Sequence, residues 1–352
     1  MGVKAVRLYF RGIMLLVTIA GLILSILINK ADLINPQDTL WLQYASTLAP
    51  FIVIFHISLI IYWLFHKRIW FLIPLLAISI NHKYITAIFG INLSASSNDS
   101  SINLTVCSYN VNYFNHSNGI KALAIARLMQ DKGVDILAMQ KFEAVAHYNL
   151  NEIIDEFDSM KYNAIYTSNN NSIGMAIFSK YPILRSSQIK FPNTGNSFMW
   201  ADLLIEKDTV RVINNHLQTT GFYFSYPRGL KYMLKEAGEN FLMRANQAKI
   251  VRSIIDTTIY PVIVCGDFND TPHGYVYSTI KGNNLSDSFI EKGVGLGGTY
   301  WRTFNLMRID MVLVSNHFKI ISHKIINSKL SNHKPIFCEL EYQNQKYSLP
   351  PL

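Results

Sequence analysis

The chain divides near residue 100 into an apolar N-terminal part and a longer part in which short apolar runs alternate with polar segments. Uncharged apolar runs occupy residues 12–29 and 48–65. Each run is about long enough to cross ~30 Å of hydrocarbon as a helix with a rise of ~1.5 Å per residue. These two runs predict transmembrane helices. No small-x-small cleavage pattern follows the first run, so it is not expected to be a removable signal peptide.

A third apolar run, residues 69–80, is interrupted by Asn81, His82 and Lys83 before apolar residues resume at 84–93. Twelve helical residues cover only ~18 Å, so either the helix continues to about residue 91 or it does not cross. The sequence therefore predicts an all-helical anchor of two or three transmembrane helices in residues 1–93. A polar linker at 94–101 and a domain at 102–352 follow.

The basic residues that flank the first two runs predict a topology. Lys4, Arg7 and Arg11 precede the first run, and Lys67 and Arg68 follow the second. Such residues favour the cytoplasmic side. If the third run also crosses, the domain is extracytoplasmic, and periplasmic in a bacterium. In the alternative, residues 84–93 form an interfacial or core segment and the domain is cytoplasmic.

The pattern after residue 102 is typical of a mixed α/β domain. Apolar runs of strand length occur at residues 104–109, 136–139, 174–178, 210–214, 262–265, 311–314 and 336–340. Between residues 230 and 256 the apolar positions, beginning at Leu234, recur at steps of three and four, which predicts a helix with one buried face. Strands and helices that share one core favour an α/β layered sandwich.

Charge and cysteine content exclude few classes of function. The net charge is +9, but residues 1–98 hold seven Lys or Arg against two Asp, which is +5 of that total. Because these charges lie at membrane borders, nucleic-acid binding is not expected. The three cysteines lie in strand-like runs without metal-ligand spacing, so they are expected to be core residues.

Six short motifs follow one another along the domain: VCSYNVN at 106–112, DILAMQK at 135–141, NNHL at 214–217, GDFND at 266–270, RID at 308–310 and SNHKP at 331–335. In this order and spacing they resemble the endonuclease/exonuclease/phosphatase superfamily, which includes deoxyribonucleases, abasic-site endonucleases, inositol phosphatases and neutral sphingomyelinases. The resemblance covers about residues 102–343. It implies a four-layered α/β sandwich of two β-sheets flanked by helices, with a site at one end of the sheets.

The resemblance also implies roles for single residues. Asp267 would orient and deprotonate a water molecule, and Asn269 would hold the nucleophile or a phosphoryl oxygen. Asp310 would fix the tautomer of His333 and favour its charged form near a phosphate.

His216 and Asn110 would donate to phosphate oxygens from neighbouring strands. Each residue also has a plainer interpretation, because Gly, Asp and Asn form turns and isolated histidines are often structural. The six motifs together favour the catalytic interpretation.

The chain departs from the family pattern at three positions. Lys141 stands where the family has a metal-binding Glu, and Asn332 stands where it has Asp. Asn112 is a neutral amide where some members carry Asp. A charged Lys has no lone pair for a metal. Glu143 lies two residues further, ~6.6 Å along a strand, so it would reach the site only through a bulge or turn.

The exchange of Glu for Lys changes the local charge by as much as the missing ion would supply. We therefore hypothesise that Lys141 replaces the metal, with Asn332 and Asn112 as further ligand-binding residues, and expect no metal cofactor. The alternative is drift in an unused site, where Lys141 extends to solvent.

Three functions remain open from the sequence. The first is a catalytically impaired module that binds a phosphorylated or other anionic ligand, or a membrane partner. The second is an active phosphodiesterase with an altered site that acts on a lipid headgroup or nucleic acid. In this alternative the site could contain Mg²⁺. The third is a structural subunit of a membrane complex that makes contacts through the aromatic loop GFYFSYP at 221–227.

Overall fold

The structure is a computed structural model that describes residues 2–92, 102–116, 120–143, 149–167, 173–221 and 229–343. The whole predicted linker at 94–101 lies outside the described residues, and so does most of the aromatic loop at 221–227.

The secondary-structure elements follow one another in chain order. The α-helices are α1 Val3–Ile28, α2 Trp41–Thr47, α3 Ala49–Phe65, α4 Leu72–Ile80, α5 His82–Ile88, α6 Ile120–Asp131, α7 Leu150–Asp155, α8 Leu230–Thr257, α9 Tyr275–Lys281 and α10 Ser288–Lys292. The strands are β1 Phe89–Ile91, β2 Ile102–Asn110, β3 Ile136–Gln140, β4 Tyr162–Tyr166, β5 Met175–Ser179, β6 Ile183–Lys190, β7 Ser197–Ile205, β8 Asp208–His216, β9 Val262–Asp267, β10 Leu285–Asp287, β11 Val294–Leu296, β12 Asp310–Ser315, β13 Phe318–Ile325 and β14 Ile336–Tyr342.

The N-terminal helices include one clear candidate for a membrane span. Helix α1 has 26 residues and is apolar enough to cross a bilayer. Two further candidates arise only if each of two bent helix pairs counts as one span, namely α2 with α3 and residues 69–80 with α5. Each pair bends by 65°. By length and composition, the described residues thus contain one helix that could cross a membrane, which makes α1 a candidate anchor.

The third apolar run does not form one continuous helix to residue 91, so that option of the sequence analysis is wrong. Helix α4 ends at Asn81, whose side-chain amide donates to the Ala77 carbonyl at 2.9 Å and to the Ser25 carbonyl at 3.3 Å. A short amide that bonds the backbone in this way competes with continuation of the helix. Beyond α5 the chain becomes extended and forms β1.

The domain contains two six-stranded mixed sheets, as the sequence predicted. The first has the order β10-β12-β9-β8-β7-β6 and the second β13-β14-β2-β3-β5-β4. Apolar side chains from both sheets, such as Val106, Ile136, Val212 and Ile263, form the core between them. Helix α6 packs on the outer face of the second sheet, and α8 and α9 pack on the first. This is the four-layered arrangement.

Helix α8 buries the expected face, including Phe241, Ala245 and Ala248, but Leu234 near its start is exposed. The three cysteines are buried and free, as expected for core residues.

The N-terminal segment packs directly against the domain. Strand β1 pairs antiparallel with β11, and the Gly297 N–H donates to the Ile88 carbonyl at 2.8 Å. The Tyr44 hydroxyl donates to the Leu234 carbonyl at 2.6 Å, and its ring lies edge-on to Phe241. The end of the anchor region is therefore structurally part of the domain.

Candidate functional site

Strand register brings the central side chains together at one end of the first sheet. In neighbouring strands His216 lies opposite Asp267, and Asp267 lies opposite Asp310. Asn110 reaches the same place from the last position of β2 in the second sheet. Asn110, His216 and Asp267 are the last residues of their strands and Asp310 is the first residue of the antiparallel β12, which is why residues far apart in the chain meet here.

Asp267 is the buried centre of the site. The Asn110 side-chain amide donates to its Oδ2 at 2.8 Å, and the Asn269 N–H donates to its Oδ1 at 3.0 Å. Burial raises the pKa of Asp267 to about 6, helped by Asp310 and opposed by His333 and Lys141. The carboxylate is held in place but is a much weaker acid than a solvated Asp.

Asp310 and His333 form the predicted pair. His333 Nδ1 lies 2.8 Å from Asp310 Oδ2, and His333 Nε2 lies 3.7 Å from Asp267 Oδ2. Burial lowers the pKa of His333, but Asp310 and Asp267 outweigh it, so the net shift is upward. The imidazole therefore favours its charged form. Asp310 Oδ1 is buried and has no hydrogen-bond donor among the described residues.

His216 is held in the opposite charge state. The Asn196 side-chain amide lies 3.2 Å from His216 Nδ1, which leaves Nε2 as the protonated nitrogen, 3.9 Å from Asp267 Oδ2. Burial lowers the pKa of His216 well below its ordinary value, and the charges of Lys141 and His333 lower it further. His216 is therefore a neutral donor beside a charged imidazole.

Lys141 follows β3 directly, with a left-handed φ of 54°. It is partly buried. Burial lowers the pKa of its ammonium, while Asp267 and Asp310 raise it. Lys141 is therefore partly buried at the strand end beside Asn110, since Gln140 lies opposite Asn110 in the register of β2 and β3.

Two other predicted residues lie at the border of the site. The Asn112 N–H donates to Asn110 Oδ1 at 3.1 Å, which helps to orient the amide that holds Asp267. Asn332 Oδ1 accepts from the Ser331 hydroxyl at 3.3 Å. Asn269 Nδ2 donates to the Leu217 carbonyl at 2.9 Å, which fixes its side chain next to the end of β8.

The side chains able to hold a metal ion form a buried group. Ligand atoms of Asp267, Asp310 and His333 lie within 4.8 Å of one another. Glu143 is among the described residues but does not belong to this group.

Three supporting residues were not singled out from the sequence. Asn196 sets the tautomer of His216. Gln140 donates to Asn214 Oδ1 at 2.7 Å, which joins the two sheets immediately before Lys141. Arg244 is fully buried, donates to the Gln218 carbonyl at 2.8 Å and lies 3.8 Å from Asp270. Of the three, Arg244 left a signal in the sequence, as the charged residue among the buried positions of α8.

Comparison with known proteins agrees with this geometry. Residues 107–333 match the Endonuclease/Exonuclease/phosphatase family. The chain belongs to this family. Residues 11–88 match a domain of unknown function, DUF8431. No curated protein matches the chain.

Solved structures of the family share the fold. One is an endonuclease/exonuclease/phosphatase family protein from Bacteroides thetaiotaomicron, which is 18% identical, has a TM-score of 0.53 and covers 69% of this chain and 99% of its own. A mannosyl-6-phosphatase from Bacteroides thetaiotaomicron VPI-5482 is 18% identical, with a TM-score of 0.51 and coverage of 68% and 100%. A humanized D. rerio TDP2 is 15% identical, with a TM-score of 0.50 and coverage of 68% and 99%. At these identities the likeness concerns the fold alone.

Proposed function

We propose that this member of the family is a membrane-anchored module that binds phosphate or a similar anion and is impaired in Mg²⁺-dependent hydrolysis. One observation supports the proposal: Lys141 follows β3 directly, where Gln140 pairs with Asn110 at the site, and the charges of Asp267 and Asp310 act to raise the pKa of its ammonium against the effect of burial. By the family resemblance, Lys141 stands at the position of a metal ligand.

The family is normally Mg²⁺-dependent, so the fit of the donor set to this ion matters. Mg²⁺ requires oxygen ligands at ~2.0–2.1 Å in near-octahedral geometry. Here Asp267 Oδ2 already accepts from Asn110, and a charged His333 has no lone pair on Nε2. The Lys141 ammonium also repels a second cation from the same carboxylates. We infer that these residues do not fit Mg²⁺ as they stand.

The same residues are suited to hold an anion. Lys141 and His333 supply positive charge, and His216 supplies a neutral N–H. Asn110 and Asn269 hold Asp267 so that it does not approach the ligand. Its raised pKa reduces the repulsion of an anion, because part of the population is protonated near pH 6.

We expect inorganic phosphate to raise the melting temperature of the full chain in detergent, and Lys141→Met to abolish most of this effect. A ligand at 100 times its Kd stabilises a protein by ~2.7 kcal/mol, which a thermal unfolding experiment resolves. The matched control is Lys161→Met, which removes the same charge from an exposed position. Equal phosphate stabilisation of the native chain and of Lys141→Met would contradict the proposal.

Affinity for sulfate, an anion of the same shape whose charge is constant in this range, should decrease as pH rises through about 6 and above. The raised pKa of His333 keeps the imidazole charged at low pH, and Asp267 gains its negative charge near pH 6. Both titrations weaken anion binding in the same direction. Calorimetric titration with sulfate across this range measures the slope, which His333→Gln should reduce. Affinity that is constant with pH in the native chain would exclude this charge arrangement.

A second candidate function is a phosphodiesterase with an altered mechanism. It is favoured by the intact cluster of Asp267, His333 and Asp310, in which a raised carboxylate pKa and a charged imidazole form an acid–base pair. Turnover of a chromogenic phosphodiester that Asp267→Ala abolishes would support this function. If a chelator also abolished that turnover, the reaction would depend on a metal ion such as Mg²⁺. If the chain showed no anion binding and no turnover, the result would favour the structural-subunit function.

We further propose that residues 102–352 lie across the membrane from the N-terminus and from the basic pair Lys67 and Arg68. Because the native cysteines are buried, single introduced cysteines label selectively. Ile259→Cys, at a position that is 82% exposed, should react with an impermeant thiol reagent in intact cells. His66→Cys, on the loop before Lys67, should react only after lysis. The reverse pattern would place the domain in the cytoplasm.

A further inference from the structure

The site is bordered by an exposed aromatic turn, which we define as the short 3-10 helix Trp301–Thr303 together with Phe304. Trp301 is 54% exposed and Phe304 is 82% exposed. Phe304 also adopts a left-handed backbone conformation, with a φ of 54°. A bulky residue that is strained and exposed is unfavourable for an isolated soluble domain. The stability of the fold therefore does not explain why an exposed, strained Phe occupies this turn.

A second exposed apolar surface lies on the two-stranded sheet. Phe89 pairs with Leu296, and Ile91 pairs with Val294. Residues two apart on a strand share a face, so these four side chains lie on one side of the sheet. All four are exposed, Ile91 to 73% and Val294 to 62%. We call this surface the apolar sheet face.

The two surfaces are adjacent in the structure. The Gly297 N–H donates to the Ile88 carbonyl, next to β1. Gly298 packs tightly against the backbone of Asn305 at the end of the aromatic turn, where an added Cβ would lie 1.5 Å from the Asn305 oxygen. The apolar sheet face thus continues into the turn through two consecutive glycines.

The ends of α1 and α4 indicate how far both surfaces lie from the proposed membrane. Asn29, directly after α1, donates its side-chain amide to the Ile80 carbonyl at the end of α4, at 2.8 Å. Both segments therefore end at the same level on the domain side. Helix α5 has seven residues and covers only ~10 Å, so β1 lies close to that level. The headgroup region of a bilayer extends ~5–7 Å beyond the hydrocarbon.

The charges around these surfaces are mostly basic. Within and directly beside these elements in the sequence, Lys83 on α5, Lys292 before β11 and Arg302 in the aromatic turn are cationic, and Glu291 is acidic. Aromatic and aliphatic side chains with a basic border are the combination found in segments that lie in the membrane interface.

We infer that the aromatic turn and the apolar sheet face insert into the headgroup region of the bilayer that holds α1, and that their partner is an anionic lipid surface. This inference rests on the membrane anchoring in the proposed function but not on the anion pocket. It has a consequence for the site, because the Tyr300 ring packs 4.9 Å from the His333 ring and the Trp301 N–H donates to the Asn332 carbonyl. The site then opens beside the headgroups.

Fluorescence quenching in vesicles tests the inference with the full chain. Phe304→Cys carries an environment-sensitive fluorophore, and the native cysteines stay unlabelled because they are buried. Ile259→Cys is the matched control, since Ile259 is also 82% exposed but precedes β9 at the strand end away from the site. Ile23→Cys, 54% exposed on α1, is the control for membrane insertion.

In vesicles that contain phosphatidylglycerol and lipids brominated near the headgroup, the labels at 304 and 23 should be quenched at least twofold more than the label at 259. Replacing phosphatidylglycerol by phosphatidylcholine, or Arg302 by Gln, should reduce quenching at 304 and leave quenching at 23 unchanged. Quenching at 23 alone would overturn the interfacial inference and leave the anchor intact. Lack of quenching at both positions would overturn the anchoring part of the proposed function, whereas the phosphate experiment tests the pocket independently.

Discussion

The double variant Lys141→Glu with Asn332→Asp is expected to bind Mg²⁺, whereas the native chain is not. Gln140 is fixed between the sheets through Asn214, so a Glu at 141 would begin from a defined backbone position. It would replace the ammonium that now interacts with Asp267 and Asp310 by a carboxylate. Calorimetric titration with Mg²⁺ is the measurement.

The single variants should not contribute equally. Lys141→Glu should recover part of the affinity, because it removes the competing cation and adds a ligand. Asn332→Asp should recover almost none while the ammonium is present. Two residues that share one ion give non-additive effects, commonly of ~0.5–3 kcal/mol. Catalytic activity can stay low even when Mg²⁺ binds, because catalysis requires the reacting groups to be placed within ~0.5 Å of the productive geometry.

Lys161→Glu is the control for the Lys141→Glu exchange, since it makes the same charge change at an exposed position. It should bind no more Mg²⁺ than the native chain. A double variant that has the same melting temperature as the native chain but binds no Mg²⁺ would mean that the site geometry differs from the family at more than these positions.

The second large effect concerns stability. Asp287 is buried and accepts from Arg308 Nη1 at 3.0 Å and Nη2 at 2.7 Å, and from the Tyr277 hydroxyl at 2.8 Å. Asp287→Ala leaves the buried guanidinium of Arg308 without its counter-charge. Removal of one partner of a buried pair costs ~3–5 kcal/mol. Thermal unfolding of the full chain in detergent should therefore begin at a much lower temperature.

Asp256→Ala is the control for this variant. Asp256 pairs with Arg252 one helical turn away, but its side chain is 52% exposed, and such pairs contribute only ~0.3–0.5 kcal/mol. Similar melting temperatures for Asp287→Ala and Asp256→Ala would show that the buried pair contributes little.

The same pair predicts a pH dependence of stability. Burial alone raises the pKa of Asp287, but Arg308 and Tyr277 outweigh it and the net shift is downward. A depressed carboxyl pKa in the folded state stabilises the fold above the unfolded pKa and is lost as pH falls through the folded value. The stability difference between the native chain and Asp287→Ala should thus shrink only in strong acid.

The sequence was most informative where local pattern and chemistry coincide. Asp267, Asp310 and Asn110 lie at strand ends, in motifs that follow or precede buried runs, so their convergence was predictable. The strand order was not, because it depends on pairings between distant segments. Asn81 shows a similar limit: its polarity marked an interruption, but the 65° bend arises from its bonds to Ala77 and Ser25.

Two site residues illustrate what pattern alone does not contain. Asn196 acts through a hydrogen bond to a strand neighbour, and nothing in its local sequence distinguishes it from a turn residue. The resemblance marked Lys141 as a departure, but its partial burial beside the strand end that carries Asn110 required coordinates. Leu234 was expected to be buried because the helical period is regular, yet that end of α8 extends beyond the core.

The pairing of β1 with β11 has a consequence for how the protein is made. The two strands are separated by about 200 residues, and synthesis proceeds from the N-terminus. Strand β1 therefore leaves the ribosome, together with the anchor, long before its partner exists. The Arg308 guanidinium, which donates to the Ala87 carbonyl at 2.7 Å, reaches the anchor later still. The last steps of folding thus join the domain to an N-terminal segment that was synthesised long before it, and under the proposed anchoring this joining takes place at the membrane.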